Sequence, residues 1–335
     1  MRIIPGTRSL QQTPLWQTLL SRAITDPEEL LRLLDLPLDS LPASLMASQE
    51  FRLRVPRGFA GRMRKGDPND PLLLQVLPSA EELAETPGFS HDPLDELSAM
   101  PVAGVLHKYQ GRLLLTATGA CAVHCRYCFR RHDPYSEANP GRAPEQTFEY
   151  VRQHTEINEV ILSGGDPLTL SDTRLGQLVA RLETLPHVTR LRIHSRVPVV
   201  LPERVDAKLL EWLQMTRLQV VLVIHANHPN EIDASVHDAM RTLKKVGITL
   251  LNQSVLLRGV NDNASTLAEL SEALFDAGVL PYYLHQLDSV QGAAHYEVTD
   301  REAVKLINQL RKTLPGYLLP ELVRELPGQS SKTPL

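Results

Sequence analysis

Cys121, Cys125 and Cys128 are the only cysteines in the chain, and they fall together in the run TATGACAVHCRYCFRRHDPY with CxxxCxxC spacing. The spacing confines all three thiols to one loop beside an expected strand. A disulfide between any two would leave the third over, and adjacent cysteines in a large chain of intracellular character are more often metal ligands than bridges. Structural zinc takes four ligands, so a zinc site here must borrow His124 or His132. An iron-sulfur cube held by three thiolates is more economical, because it keeps one iron open to a substrate or cofactor. Three buried thiols without a metal are the remaining reading.

Four other groups carry candidate chemistry. Gly164 and Gly165, in SGGDPL, remove side chains where a backbone must bend or approach a ligand, leaving amides and carbonyls to bond it; a plain βα turn would look the same. Arg130 follows Cys128 by two residues, and its planar fork suits a carboxylate. Arg131 is adjacent, so only one of the two is expected to point inward. Asp288, in YYLHQLDSVQG, closes an expected buried strand, where a carboxylate costs several kcal/mol of desolvation unless a cation meets it. Lys332, in VRELPGQSSKTPL, reads by itself as part of a disordered tail.

The elements that must position these groups form a regular series. From Arg112 onward, RLLLTATG, VILSGG, LRIHSR, VVLVIHA, TLLNQSVLL and LPYYLHQLD are short apolar runs of the kind buried on both faces of a parallel sheet. Amphipathic helices separate them: Leu175 to Leu185, Val236 to a stop at Gly247, and a helix capped by Ser265 that ends before Gly278. Six βα units in series predict an open (βα)6 barrel, short of the eight that close a full one. Ligands of such sheets collect at the carboxyl ends of the strands. The cysteines, Gly164 to Pro167, His194 to Arg196, His225, Asn227, His228 and Asp288 all fall there.

Residues 1–100 read as a helical, proline-punctuated leader, in which Asp26 caps a helix opening on Pro27, Glu28 and Glu29. Its basic run, Arg52 to Lys65, is expected to be a solvated face rather than a dock for an acidic partner, since prolines and glycines interrupt it. At 335 residues, 42% apolar and 22% charged, the chain has ordinary globular composition. A net charge of −4 gives no argument for nucleic acid or a membrane surface. No apolar run approaches the ~20 residues of a membrane span, and the start MRIIPGTRSLQQTPLW lacks a signal-peptide core. The expectation is a cytoplasmic protein, in a compartment that keeps thiols reduced.

CxxxCxxC with Tyr127 just before the last cysteine resembles the radical S-adenosylmethionine (SAM) signature, in which the cofactor's methionyl amino and carboxylate groups chelate the open iron of a [4Fe-4S] cluster. CFRRHDPY, SGGDPL and the leader from about residue 10, including DPNDPLLLQVLP, resemble the lysine 2,3-aminomutase family specifically. The resemblance implies the same α/β class: a partial (βα)6 TIM-like barrel over 101–315, an N-terminal helical region over 1–100 and a C-terminal lysine-bearing segment over 316–335. It places Gly164, Gly165, Asp166, Ser195 and Arg196 at SAM, Arg130 on the substrate carboxylate and Asp288 on the distal ammonium of lysine. The family's second ammonium-binding acid corresponds to Glu325, a departure in side-chain length. The family's PGGGGK, whose lysine forms a Schiff base with pyridoxal 5′-phosphate, corresponds to PGQSSK, which assigns that role to Lys332. Arg112, with Lys108 and Tyr109 nearby, then corresponds to the phosphate site.

The implied activity is an isomerase: conversion of L-α-lysine to β-lysine by a radical drawn from SAM, with an external electron donor. Within the family, the short C-terminus and the leader WQTLLSRAITDPEELLRLLDL resemble the bacterial enzyme that supplies (R)-β-lysine for modification of elongation factor P. That likeness implies a separate ligase partner and a homodimer. An aminomutase for glutamate or arginine, or one making β-lysine as an osmolyte, would share the cofactor sites. A non-catalytic iron-sulfur carrier would need neither Lys332 nor SAM.

Overall fold

Each of the six apolar runs is a parallel strand in the computed structural model, which describes residues 13–39, 41–132 and 144–335. Asp133, Pro134 and Tyr135 of CFRRHDPY, and the first residues of the leader, lie outside the described residues. The hairpin of β1 (Val105–Tyr109) and β2 (Arg112–Thr118) opens a nine-stranded sheet. It continues through β3 (Glu159–Gly164), β4 (Arg190–Ser195), β5 (Gln219–Ile224), β6 (Thr249–Val255), β7 (Leu280–His285), β8 (Glu321–Arg324) and β9 (Thr333–Pro334), each paired with its sequence neighbour. Strands β2 to β8 are parallel, while β1 and β9 are antiparallel edges. The parallel set therefore has one strand beyond the six expected, because β8 is too short and too polar at its ends to stand out in sequence.

Before the barrel come α1 (Leu15–Ser21), α2 (Pro27–Leu33), α3 (Leu41–Glu50) and α4 (Arg57–Ala60); the crossovers are α5 (Pro144–Gln153), α6 (Asp172–Glu183), α7 (Val197–Val200), α8 (Ala207–Met215), α9 (Ala234–Lys245), α10 (Ala264–Asp276) and α11 (Asp300–Thr313). Asp26 caps α2 through the amide of Glu28, as the sequence predicts. The cap of α10 is Asn263, accepting from the amide of Thr266, two positions before the expected Ser265. Asn holds its acceptor as well as Ser does, and the helix starts earlier for it.

The strands are not apolar on both faces. In β4, Leu191 and Ile193 are buried in the core against the helices, while Arg192 and His194 turn into the barrel lumen. Gln253 of β6 does the same, because the lumen holds a cavity rather than packed aliphatic layers.

The leader belongs to this core. Trp16, Ile24, Leu30, Leu53 and Phe59 share one buried apolar cluster with Leu162, Leu191 and Leu222 of the strands. Arg52, Arg57, Arg64 and Lys65 of the basic run lie on a solvated face, as expected, while Arg62 turns inward and ties the leader to the barrel. Arg62, its side chain 8% exposed, donates to the carbonyls of Val199 and Glu231 at 2.7 and 2.9 Å and pairs with Asp233 at 2.8 Å. Arg54 donates to the carbonyl of Leu20, and Arg57 pairs with Glu29. No helix among the described residues is long and apolar enough to cross a membrane.

Candidate active site

The cysteine loop leaves the end of β2, and two glycines let β3 run against it. Gly164 has φ +107, and a side chain there would press on Thr116 and on the Thr118 carbonyl at 2.7 Å. At Gly165 a Cβ would lie 2.4 Å from the carbonyl oxygen of Ala120. The amides of Gly165 and Asp166 donate to the carbonyls of Thr118 and Ala120 at 2.6 and 2.7 Å. These amides are therefore not open to a ligand, as the sequence suggests; the glycines bring the loop in close, and its own carbonyls take the donors.

Asp166 is equally committed. It accepts from Ser195 Oγ at 2.6 Å and from the amides of Leu168, Arg196 and Val197, joining the ends of β3 and β4. Burial raises its pKa, although those hydrogen bonds pull it down. Arg196 donates to Cys125 Sγ at 2.8 Å, to Tyr127 Oη at 2.7 Å, to Gln75 and to Glu231. Tyr127 Oη also meets His225 Nε2 at 2.8 Å, and Asn227 donates to it at 2.7 Å. This buried polar network, in which only Arg196 Nε is left without a partner among the buried nitrogens and oxygens of these side chains, helps to fix the loop's geometry.

The residues assigned to the cluster, the cofactors and the substrate line one cavity of about 610 Å³: the three cysteines, Arg130, Gly164 to Asp166, Ser195 and Arg196 in one part, and Arg112, Asp288, Glu325 and Lys332 in another; Asn227 and His228, also at a strand end, do not line it. Both arginines after Cys128 point inward, in different directions. Arg130 turns to the cavity and Arg131 to a buried carboxylate, Glu82, at 2.5 Å. The side edge of Arg130 is engaged by Glu96, with Nε and Nη2 each 2.9 Å from a carboxylate oxygen, and its Nη1 donates to Ser163 and the Gly164 carbonyl.

Lys332 does not lie on a loose tail. Strand β9 folds back on β8, with Arg324 opposite Thr333. That hairpin sets Lys332 Nζ 2.8 Å from Glu325 Oε2, while Lys108 Nζ lies 3.3 Å from Oε1. Burial works to raise the pKa of Glu325, but the two ammoniums hold it down at about 2. Burial, and then the negative charge of Glu325, push Asp288 up to about 7 against the pull of Lys332. Burial and then the Lys332 ammonium drive His285 down to about 3, so its ring is neutral. Arg112 stacks over Tyr109, 4.3 Å from the ring centroid.

Sequence reasoning passed over Gln75, Glu82, Glu96 and Glu231. Glu82 stands in a visible Ser79-x-x-Glu82 capping box, but that signal announces a helix start and nothing of an ion pair.

A family model described as "Radical SAM superfamily" matches residues 115–271. The chain is 55% identical to the L-lysine 2,3-aminomutase of Escherichia coli (strain K12) over 322 residues, covering 96% of this chain and 94% of that protein. It is 50% identical to the protein of the same name from Haemophilus influenzae, over 99% of both chains. The chain belongs to the L-lysine 2,3-aminomutase family. The family member from Clostridium subterminale is 35% identical over 96% of this chain and 77% of its own length. Membership of the radical SAM superfamily implies a [4Fe-4S] cluster and SAM.

The donors fit such a cluster. The three cysteines are free thiols, all facing the cavity. Burial and the neighbouring thiols push Cys121 well up and Cys128 to about 11, so thiolates here need a metal to hold them. The two histidines that a zinc site would borrow are turned elsewhere: His124 binds the Arg52 carbonyl and His132 the Gln291 carbonyl, and neither lines the cavity. Among the described residues no three His, Cys, Asp or Glu close around a single ion. Deeper in, His194 Nε2, Gln253 Nε2 and His285 Nε2 are buried without a hydrogen-bond partner, which suits a polar ligand in the lumen.

Proposed function

We propose that this chain is a lysine 2,3-aminomutase that converts L-α-lysine to (R)-β-lysine for elongation factor P, using a [4Fe-4S] cluster on Cys121, Cys125 and Cys128, SAM, and pyridoxal phosphate on Lys332. The observation that carries the reading is one cavity lined by both the three thiols and a hairpin-anchored lysine. When bound, the cluster and SAM supply a hydrogen-abstracting radical, and pyridoxal phosphate supplies the conjugation over which an amine migrates. The protein's own residues bind and orient. Gly164, Gly165 and Asp166 shape the SAM side by holding the loop, and Ser195 and Arg196 complete it.

Arg112, with Lys108 and Tyr109 beside it, is our assignment for the phosphate. We assign the substrate carboxylate to Arg130, which would exchange part of its present bonding to Glu96, Ser163 and the Gly164 carbonyl for it. Asp288 and Glu325 receive the distal ammonium. Glu325 already holds the ammoniums of Lys332 and Lys108, so the spot is built to receive an ammonium. A substrate with a distal carboxylate, such as glutamate, meets repulsion there.

We assign residues 1–100, 101–315 and 316–335 as leader, barrel and lysine-bearing segment of a cytoplasmic homodimer served by an external electron donor. Identity of 55% and 50% to the E. coli and H. influenzae proteins, against 35% to the clostridial one, supports placing the chain with the former, and the elongation-factor role is our assignment for that branch. That branch requires a ligase to attach the product to the factor.

The test is anaerobic: reconstitute the protein with iron, sulfide and pyridoxal phosphate, add SAM, dithionite and L-lysine, and resolve products by chiral chromatography. (R)-β-lysine is the expected product. The S isomer points to the free-lysine enzymes, and SAM cleavage without β-lysine overturns the substrate assignment. Lys332→Ala is expected to lose the visible absorbance of bound pyridoxal phosphate while keeping its iron.

A further inference from the structure

Glu82 is a buried carboxylate that none of the chemistry above uses, 3% exposed and outside the cavity lining. Arg126, between Cys125 and Cys128, donates to it from Nε at 2.8 Å and from Nη2 at 2.5 Å. Arg131, three residues after Cys128, donates from Nη2 at 2.5 Å. The amide of Ser79 supplies a fourth donor at 3.0 Å. An ionised carboxylate offers about four acceptor positions, and here each has a donor. The Nη1 groups of the two guanidiniums reach backbone: Arg126 Nη1 binds the Phe51 carbonyl at 2.6 Å, and Arg131 Nη1 binds the carbonyls of Arg126 and Gly292 at 2.8 and 3.0 Å, while Arg131 Nε has no hydrogen-bond partner. The Phe51 ring lies against both.

We infer that Glu82 is a positioning residue for the iron-sulfur cluster, clamping the cysteine loop on both sides of Cys128 through Arg126 and Arg131. The inference rests on the assignment of the cluster to Cys121, Cys125 and Cys128. Residues 119–132, which carry the cysteines, form turns and bends but no helix or strand, so side-chain contacts must help to set the sulfur positions. One carboxylate gripping two of these residues restrains them before iron arrives. Glutamine at this position has one oxygen instead of two and would turn its amide hydrogens on a guanidinium.

The experiment compares wild type, Glu82→Gln and Arg131→Lys, the last keeping charge but losing the planar fork. Each is reconstituted anaerobically with iron and sulfide, and iron release to a ferrous chelator is timed at a temperature where circular dichroism shows the chain fully folded. Loss of a residue that orients metal ligands typically weakens metal binding 10- to 100-fold, so release is expected to accelerate about 10-fold or more in both variants. Folded variants that release iron at the wild-type rate overturn the clamp and leave the cysteine assignment standing. If Glu82→Gln does not fold, Arg131→Lys alone decides. Wild-type protein that takes up no iron overturns the cysteine assignment, and the clamp with it.

Discussion

Asp288 and Lys332 show how single residues here derive their character from neighbours. A free aspartate titrates near ~4, whereas burial and Glu325 hold Asp288 at about 7. The folded chain therefore keeps a proton that the unfolded chain has lost, and this group makes stability fall as pH rises from about 4 to 7. Binding runs the other way, since only the ionised carboxylate attracts an ammonium. For the reconstituted enzyme, kcat/KM for lysine is expected to rise with pH through about 7, and Asp288→Asn is expected to flatten that limb and lower kcat/KM about 10-fold or more. An unchanged profile in the variant would remove Asp288 from ammonium recognition. The type and place of Asp288 were legible in sequence because an acid at a strand end demands a cation. Its raised pKa was not, because the cause includes Glu325, which the C-terminal segment brings in.

At the scale of elements, the two glycines after β3 and the hairpin of β8 and β9 do the positioning. Gly165→Ala would set a Cβ against the backbone of Ala120, which no rotamer change can relieve. The expected cost is about 1–3 kcal/mol of stability, read from urea unfolding, with reduced iron uptake as the cysteine loop is displaced. A variant with wild-type midpoint and iron content would mean that the loop yields freely. Sequence identified the glycines and offered ligand contact or a turn; the close approach of loop to strand, which engages the amides of Gly165 and Asp166, was not legible there. The hairpin was illegible, since PGQSSK has few apolar residues and its pairing depends on β7 already standing beside β8.

The whole molecule is one packed unit in which the leader is part of the site. Gln75, Glu82 and Glu96 reach the cysteine loop and Arg130 from residues that precede the barrel. Arg62 is one of the ties. Arg62→Met removes its contacts to Val199, Glu231 and Asp233 and is expected to lower stability by about 2–4 kcal/mol in a single urea transition. Two transitions would show that leader and barrel unfold separately. By itself the sequence determined what is local and periodic: six apolar strands, the helices between them, the cysteine spacing and the strand ends where chemistry gathers. Those follow from backbone geometry and hydrophobic burial acting over a few residues. Only the tertiary structure decided which charges meet: Glu82 with two arginines, Glu96 with Arg130, and Glu325 with Lys332 and Lys108. All these pairs but Glu325 with Lys332 are separated widely in the chain and leave no periodic trace, and that pair meets only because the β8–β9 hairpin folds back.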